Sequence, residues 1–97
     1  MENFQEKISQ NQLVVVDFNA DWCSPCRKLE PVFQALAKQH PECRFISVDV
    51  DDNEEIANNY SINSLPTVVL FREGKEMKRI VGYQPDSLKK AVINNAF

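Results

Sequence analysis

Apolar and polar residues follow two periods along this chain. Leu13-Val14-Val15-Val16-Asp17-Phe18 is β-branched and apolar at almost every position, the pattern of a strand buried on both faces. After Cys23, apolar residues recur at Cys26, Leu29, Phe33, Leu36 and Ala37, with His40 closing the same face. That spacing is a helical stripe. Pro25 suits the helix's first turn, where its missing N–H is harmless, and Pro31 inside it predicts a kink. Residues 44–50 read as a second strand, and 53–60 as a short helix capped by Asn53. Two further strands, 67–71 and 76–81, flank Glu73-Gly74-Lys75, which predicts a hairpin. Phe4 and Ile8, four apart, predict a short first helix capped by Asn3. Leu88, Ala91, Val92 and Ala96 predict a last helix capped by Asp86 and Ser87. The resulting order, helix, strand, helix, strand, helix, strand, strand, helix, is α/β: a central mixed sheet with helices on both faces.

Composition narrows the class. The 97 residues leave room for one domain covering 1–97, and 43% hydrophobic with 26% charged residues is ordinary for a soluble globular chain. A net charge of -3, with no basic block or aromatic-interleaved Lys/Arg stripe, argues against nucleic acid as a partner. Residues 1–12 are polar and carry no apolar leader core. The longest apolar run, Leu13 to Val16, is far short of a membrane span. The expected residence is therefore the cytoplasm, where thiols stay reduced. Three cysteines there are packing, metal or redox residues and not a disulfide framework.

Trp22-Cys23-Ser24-Pro25-Cys26 holds two cysteines two residues apart, at a strand-to-helix junction. Such a pair can close a small disulfide ring, and the junction makes its sulfurs unequal. Cys23 sits at the helix N-terminus, where orphan N–H groups and the dipole favour a thiolate, the attacking form in exchange chemistry. Cys26 falls on the inward stripe with Leu29 and Phe33, which suits a buried, protonated resolving thiol. The competing reading is a zinc site completed by His40 and Cys43. A helix from Cys26 to His40 separates those residues by roughly 21 Å, too far for ligands of one ion bonded at about 2.0–2.3 Å. No metal is expected.

Val16-Asp17-Phe18, Ala20-Asp21-Trp22-Cys23-Ser24-Pro25-Cys26-Arg27, Pro31, Leu65-Pro66-Thr67, Gly74 and Gly82 together resemble the thioredoxin family. The likeness extends over nearly the whole chain, and residues 13–18 and 48–52 look closest to eukaryotic cytosolic members. It implies a thioredoxin-like fold with a sheet of four, or at most five, strands. Asp17, an acid in an apolar strand, would be the buried carboxylate that handles the proton of Cys26, with a pKa raised by desolvation. Pro66 would be the family's cis-proline. Leu65 would then offer its backbone to an extended substrate, while Trp22, Ser24, Pro25 and the Val81-Gly82 stretch supply the rim. The resemblance further implies disulfide-bearing protein substrates and regeneration by an NADPH-dependent flavoprotein, thioredoxin reductase, with no cofactor held by the chain itself.

Several positions depart from the family pattern. Ser24 stands where glycine is usual, and Arg27 where lysine is usual. Asn19 replaces a tryptophan common in bacterial members, and Ser47 a lysine that they place near the buried aspartate. Without that cation Asp17 is expected to be harder to ionise. No counterpart of the family's first strand precedes the first helix, which predicts that strand 44–50 is an exposed edge and that the protein is a monomer or a weak edge-strand dimer. Cys43 reads as a packing or surface thiol, His40 as a helix-end residue, and residues 49–55 as a solvated acidic loop. The leading function is thiol–disulfide exchange that reduces protein disulfides. The alternatives are a non-enzymatic module that grips partners on this scaffold and a disulfide isomerase or oxidase. Both cysteines, Asp17 and the Leu65-Pro66 loop argue against the first. The absence of a signal sequence and the proline beside Cys26 argue against the second.

Overall fold

The computed structural model describes residues 3–96. Its elements run α1 (Phe4–Ile8), β1 (Val14–Asn19), α2 (Ser24–Gln39), β2 (Arg44–Asp49), α3 (Glu54–Asn59), β3 (Thr67–Arg72), β4 (Lys75–Val81) and α4 (Pro85–Asn95). The strands form one mixed sheet in the order β2-β1-β3-β4, with β1 parallel to β2 and antiparallel to β3. Among the described residues the sheet is four-stranded, with β2 at one edge.

Residues alternate between two cores because successive strand side chains point to opposite faces. Val14, Val16 and Phe18 join Val69 and Phe71 under Ile8 of α1 and Ile56 of α3. Leu13 and Val15 join Val68 and Leu70 on the other face, under Leu29, Phe33 and Leu36 of α2 and Leu88 and Val92 of α4. A strand sandwiched this way has no polar side, which is why β1 reads as a continuous apolar run. Burying the side chains of Leu29 and Phe33 contributes roughly 1.5–3 kcal/mol each.

The hairpin turn between β3 and β4 places Glu73 at φ 53° and Gly74 at φ 81°, the paired positive values of a type I′ connection. Gly74 N–H donates to Ile8 O at 3.0 Å and Glu73 N–H to Gln10 O at 3.0 Å, tying the turn to the end of α1.

Caps are where expectation and structure part. Asn3 caps α1 through a 2.8 Å bond from Glu6 N–H to its side chain. Asn53 occupies the N-cap position of α3, but its side chain makes no capping bond. Its amide instead donates to Asp49 O at 3.0 Å. Asp86 and Ser87 do not cap α4: Pro85, with its preset φ, begins the helix one residue earlier and leaves Gln84 at the cap. Pro31 lies inside α2, which continues unbroken through it from Ser24 to Gln39. The long helix that separates Cys26 from His40 is thus present, and His40 is its C-cap, its ring 3.1 Å from Glu42. Cys43 is buried in the α2/α4 core, a packing thiol.

Candidate active site

β1 and β2 are parallel neighbours, so the loops that follow them leave the same end of the sheet. The first loop ends in Cys23, which is the N-cap of α2. Its backbone is extended, and its sulfur accepts the Cys26 N–H at 3.2 Å. Cys26 lies one turn into the helix and is joined to Cys23 by a disulfide, with Cα atoms 5.3 Å apart. Burial does not distinguish the two: Cys23 is 5% exposed and Cys26 4%. What differs is the space each one faces.

Cys23 faces a groove of ≈ 420 Å³ lined by Trp22, Ser24, Pro25, Val50, Ile62 and Leu65, among others. Trp22 is 69% exposed, and its indole N–H donates to Asp51 Oδ2 at 2.9 Å. That bond fixes the ring's edge on the acidic turn after β2 while leaving its face open. The Leu65–Pro66 peptide is cis. Pro66 is buried, and its carbonyl accepts the Gly82 N–H at 2.8 Å. Gly82 at φ +88° has open space where a Cβ would project. Its neighbours Val81 and Tyr83 are both 46% exposed. Trp22, Ser24, Pro25 and Leu65 therefore share one groove with Cys23; Pro66 follows Leu65 directly and is joined to Gly82 by the Gly82 N–H.

Cys26 faces a second hollow of ≈ 480 Å³ that also contains Asp17, Asn19, Glu30, Ser47 and Asp49. Asp17 is 4% exposed, and its Oδ1 has no hydrogen-bond partner. Burial lifts its pKa from 3.8 to about 6, the Asn19 amide opposes part of that rise, and the Glu30 carboxylate adds to it. Asn19 Nδ2 donates to Asp17 O at 3.0 Å and to Ser47 Oγ at 2.8 Å, lacing β1 to β2 across this hollow. No group of three or more His, Cys, Asp or Glu side chains suited to a metal ion occurs among the described residues.

Sequence reasoning missed Asp51, Val50, Ile62 and Asn63, because each lies far along the chain from the cysteines. One signal could have found the first two: parallel pairing of the strands at 13–18 and 44–50 brings their following loops together.

The chain matches the family model described as Thioredoxin over residues 1–94. It is 39% identical to Thioredoxin-1 of Saccharomyces cerevisiae, covering 96% of this chain and 90% of that protein. It is 45% identical to a thioredoxin of Chlamydia trachomatis, covering 94% and 89%. Among solved structures, Plasmodium falciparum thioredoxin superposes with a TM-score of 0.91 at 35% identity, covering 96% of this chain and 91% of that one. Fasciola hepatica thioredoxin superposes at 0.87 with 44% identity, covering 90% and 84%. No helix among the described residues is long and apolar enough to cross a membrane. A Cys-x-x-Cys disulfide at a strand-to-helix junction, within a fold and a sequence shared this extensively, makes the chain a member of the thioredoxin family: a thiol–disulfide oxidoreductase whose redox-active pair is Cys23 and Cys26.

Proposed function

We propose that this protein reduces disulfides of extended protein segments, with Cys23 attacking, Cys26 resolving and Asp17 acting as the base. The observation that carries this reading is the division of space: Cys23 opens on the groove, Cys26 on the hollow of Asp17. In the dithiol form the Cys23 thiolate is favoured by the N-terminus of α2, where the Cys26 N–H already points at its sulfur. It attacks one sulfur of the substrate disulfide, forms a mixed disulfide and releases the other substrate sulfur as a thiolate. Asp17 then takes the proton of the Cys26 thiol, and the Cys26 thiolate attacks Cys23. The second substrate thiolate leaves, and the Cys23–Cys26 disulfide of this structure is the product. Two electrons have passed to the substrate, and one proton rests on Asp17.

Trp22, Ser24, Pro25 and Leu65 hold the substrate in the groove, Leu65 by strand-like backbone pairing. Pro66 and Gly82, joined by the Gly82 N–H, complete the surface that the substrate meets. A carboxyl with a pKa near 6 is mostly ionised at neutral pH yet basic enough to accept a proton, which suits the role. Residues 1–97 act as one domain in the cytoplasm, where an NADPH-dependent thioredoxin reductase restores the dithiol; the family membership supports both statements.

The test is insulin-disulfide reduction by wild type, Cys23→Ser and Cys26→Ser. Both variants lose turnover, and only Cys26→Ser accumulates a mixed disulfide. A mixed disulfide trapped by Cys23→Ser instead would reverse the assignment.

A further inference from the structure

The two edges of the sheet are built differently. β4, at one edge, carries Lys75, Glu76, Lys78 and Arg79 among its seven residues. Charges, lysine above all, are how natural sheets keep an edge from pairing. β2, at the other edge, reads Arg44-Phe45-Ile46-Ser47-Val48-Asp49 and has no charge or proline between its ends.

Backbone bonds show which groups of β2 are free. Arg44 N–H donates to Leu13 O and Val50 N–H to Asn19 O, both 2.9 Å. Alternation then turns residues 44, 46, 48 and 50 toward β1, and the N–H and C=O of Phe45, Ser47 and Asp49 outward. The Asp49 carbonyl is already engaged, by Asp52 N–H at 3.2 Å and the Asn53 amide at 3.0 Å. Among the described residues, what remains open is the pair of groups on Phe45, the pair on Ser47, and the Asp49 N–H.

We infer that β2 pairs antiparallel with β2 of a second copy of this chain, about a two-fold axis at Ile46. In that register Phe45 lies opposite Ser47 of the other copy, and each pair exchanges both main-chain bonds. All four open groups on Phe45 and Ser47 are used, and none is asked of the engaged Asp49 carbonyl. A two-fold axis perpendicular to the sheet requires opposed residues to share a face, which this register satisfies. Ile46, half-buried over the α1/α3 core, meets its own copy in the closer, non-hydrogen-bonded type of pair.

The contact is one short strand on each side, smaller than a standard stable interface, so the dimer is weak and concentration-dependent. Trp22, Pro25 and Leu65 line the groove without contribution from residues 44–47, so reductase activity does not require the pairing.

Sedimentation and light scattering of the oxidised protein from about 10 µM to about 1 mM, the span of weak dissociation constants, read the association directly. The expected result is a mass rising from one chain toward two and stopping there, with slowed hydrogen exchange at the Phe45 and Ser47 amides in the concentrated sample. Ile46→Lys, whose stem can still lie on the core while its charge faces its own copy, stays at one chain and keeps insulin reduction. Ile46→Val keeps the dimer. A single-chain mass at the highest concentration overturns the inference. So does association that survives Ile46→Lys, that grows past two chains, or that a reductant abolishes, since these would point respectively to another surface, an open assembly, or a Cys43 disulfide.

Discussion

One disulfide separates two hollows of similar size and opposite surroundings. The groove beside Cys23 has Trp22, Pro25, Val50, Ile62 and Leu65 in its walls. The hollow beside Cys26 has Asp17, Asn19, Glu30, Ser47 and Asp49. The cysteines themselves are equally buried, so what sets them apart is the helix N-terminus at Cys23 and the walls that each one faces. In the proposed mechanism the apolar groove, which Cys23 lines, is what an extended chain lies against. The polar hollow holds the buried Asp17 carboxyl and Cys26 in one lining. In the proposed mechanism, substrate and proton are handled on opposite sides of a ring only one helical turn wide.

The largest expected effect comes from removing the base. Asp17→Asn is expected to slow insulin reduction at pH 7 by on the order of 10²-fold, the low end for general acid–base catalysis, with the loss falling on resolution of the mixed disulfide. In the wild type the rate of that step should rise with pH through about 6 and level off above it, because Asp17 must be ionised to act. The same substitution stabilises the fold. The unfolded carboxyl ionises near 3.8 and the folded one near 6, so between those values the folded chain holds more protons. Stability then falls as pH rises through that window. At about 1.4 kcal/mol per pKa unit, about 3 kcal/mol is missing above it. Oxidised Asp17→Asn should therefore melt well above wild type at pH 7 and level with it near pH 3. Equal melting temperatures at both pH values would mean Asp17 is not the strained group described here.

A smaller effect is expected from the groove. Trp22→Ala removes an exposed ring from the wall and leaves the hollow untouched, so it should raise KM for a protein disulfide about tenfold, typical of losing one anchoring aromatic at a contact surface. Reduction of a small disulfide by the same variant should change little, and the Asp17 titration not at all. Asp51→Ala, which frees the indole without removing it, should give a weaker form of the same KM change. A shift of the Asp17 titration in either variant would show that the two hollows are not independent.

How much of this division is legible in the sequence depends on chain distance. Asp17 stands out because an acid in a strand of valines needs a reason. Cys23 and Cys26 declare themselves by spacing and by the helix that starts between them. The far wall of the groove does not. Val50, Ile62 and Asn63 come from loops 24 or more residues away from the cysteines, brought in by the parallel β1–β2 pairing and by α3. Asp51 looks like one more charge in a solvated acidic turn until the indole is seen against it. Asn53 holds the N-cap position that its residue type suggests, though its side chain bonds the preceding turn and not the helix; residues 86–87 fail as caps because Pro85 starts the helix by itself. The fold, the cysteine pair and the near wall of the groove were legible; its far wall, Val50, Ile62 and Asn63, required the tertiary structure.

The finest test concerns the hollow alone. Asn19 reaches from β1 to Ser47 on β2 and also donates to the Asp17 carbonyl, and its amide is the one group that opposes the rise in the Asp17 pKa. Asn19→Ala deletes that donor without adding charge or filling the space. The Asp17 titration, followed by carbon-detected NMR on its carboxyl, should move up from about 6 by less than burial itself has moved it, and the pH at which mixed-disulfide resolution reaches half its maximum should move with it. KM for insulin should stay where it is, because nothing in the groove has changed. Asn19→Asp puts a second carboxylate in the amide's place and should push the titration further the same way. A downward shift in Asn19→Ala would mean that solvent entering the vacated space solvates the carboxylate better than the amide does. The polar wall would then serve to keep water out.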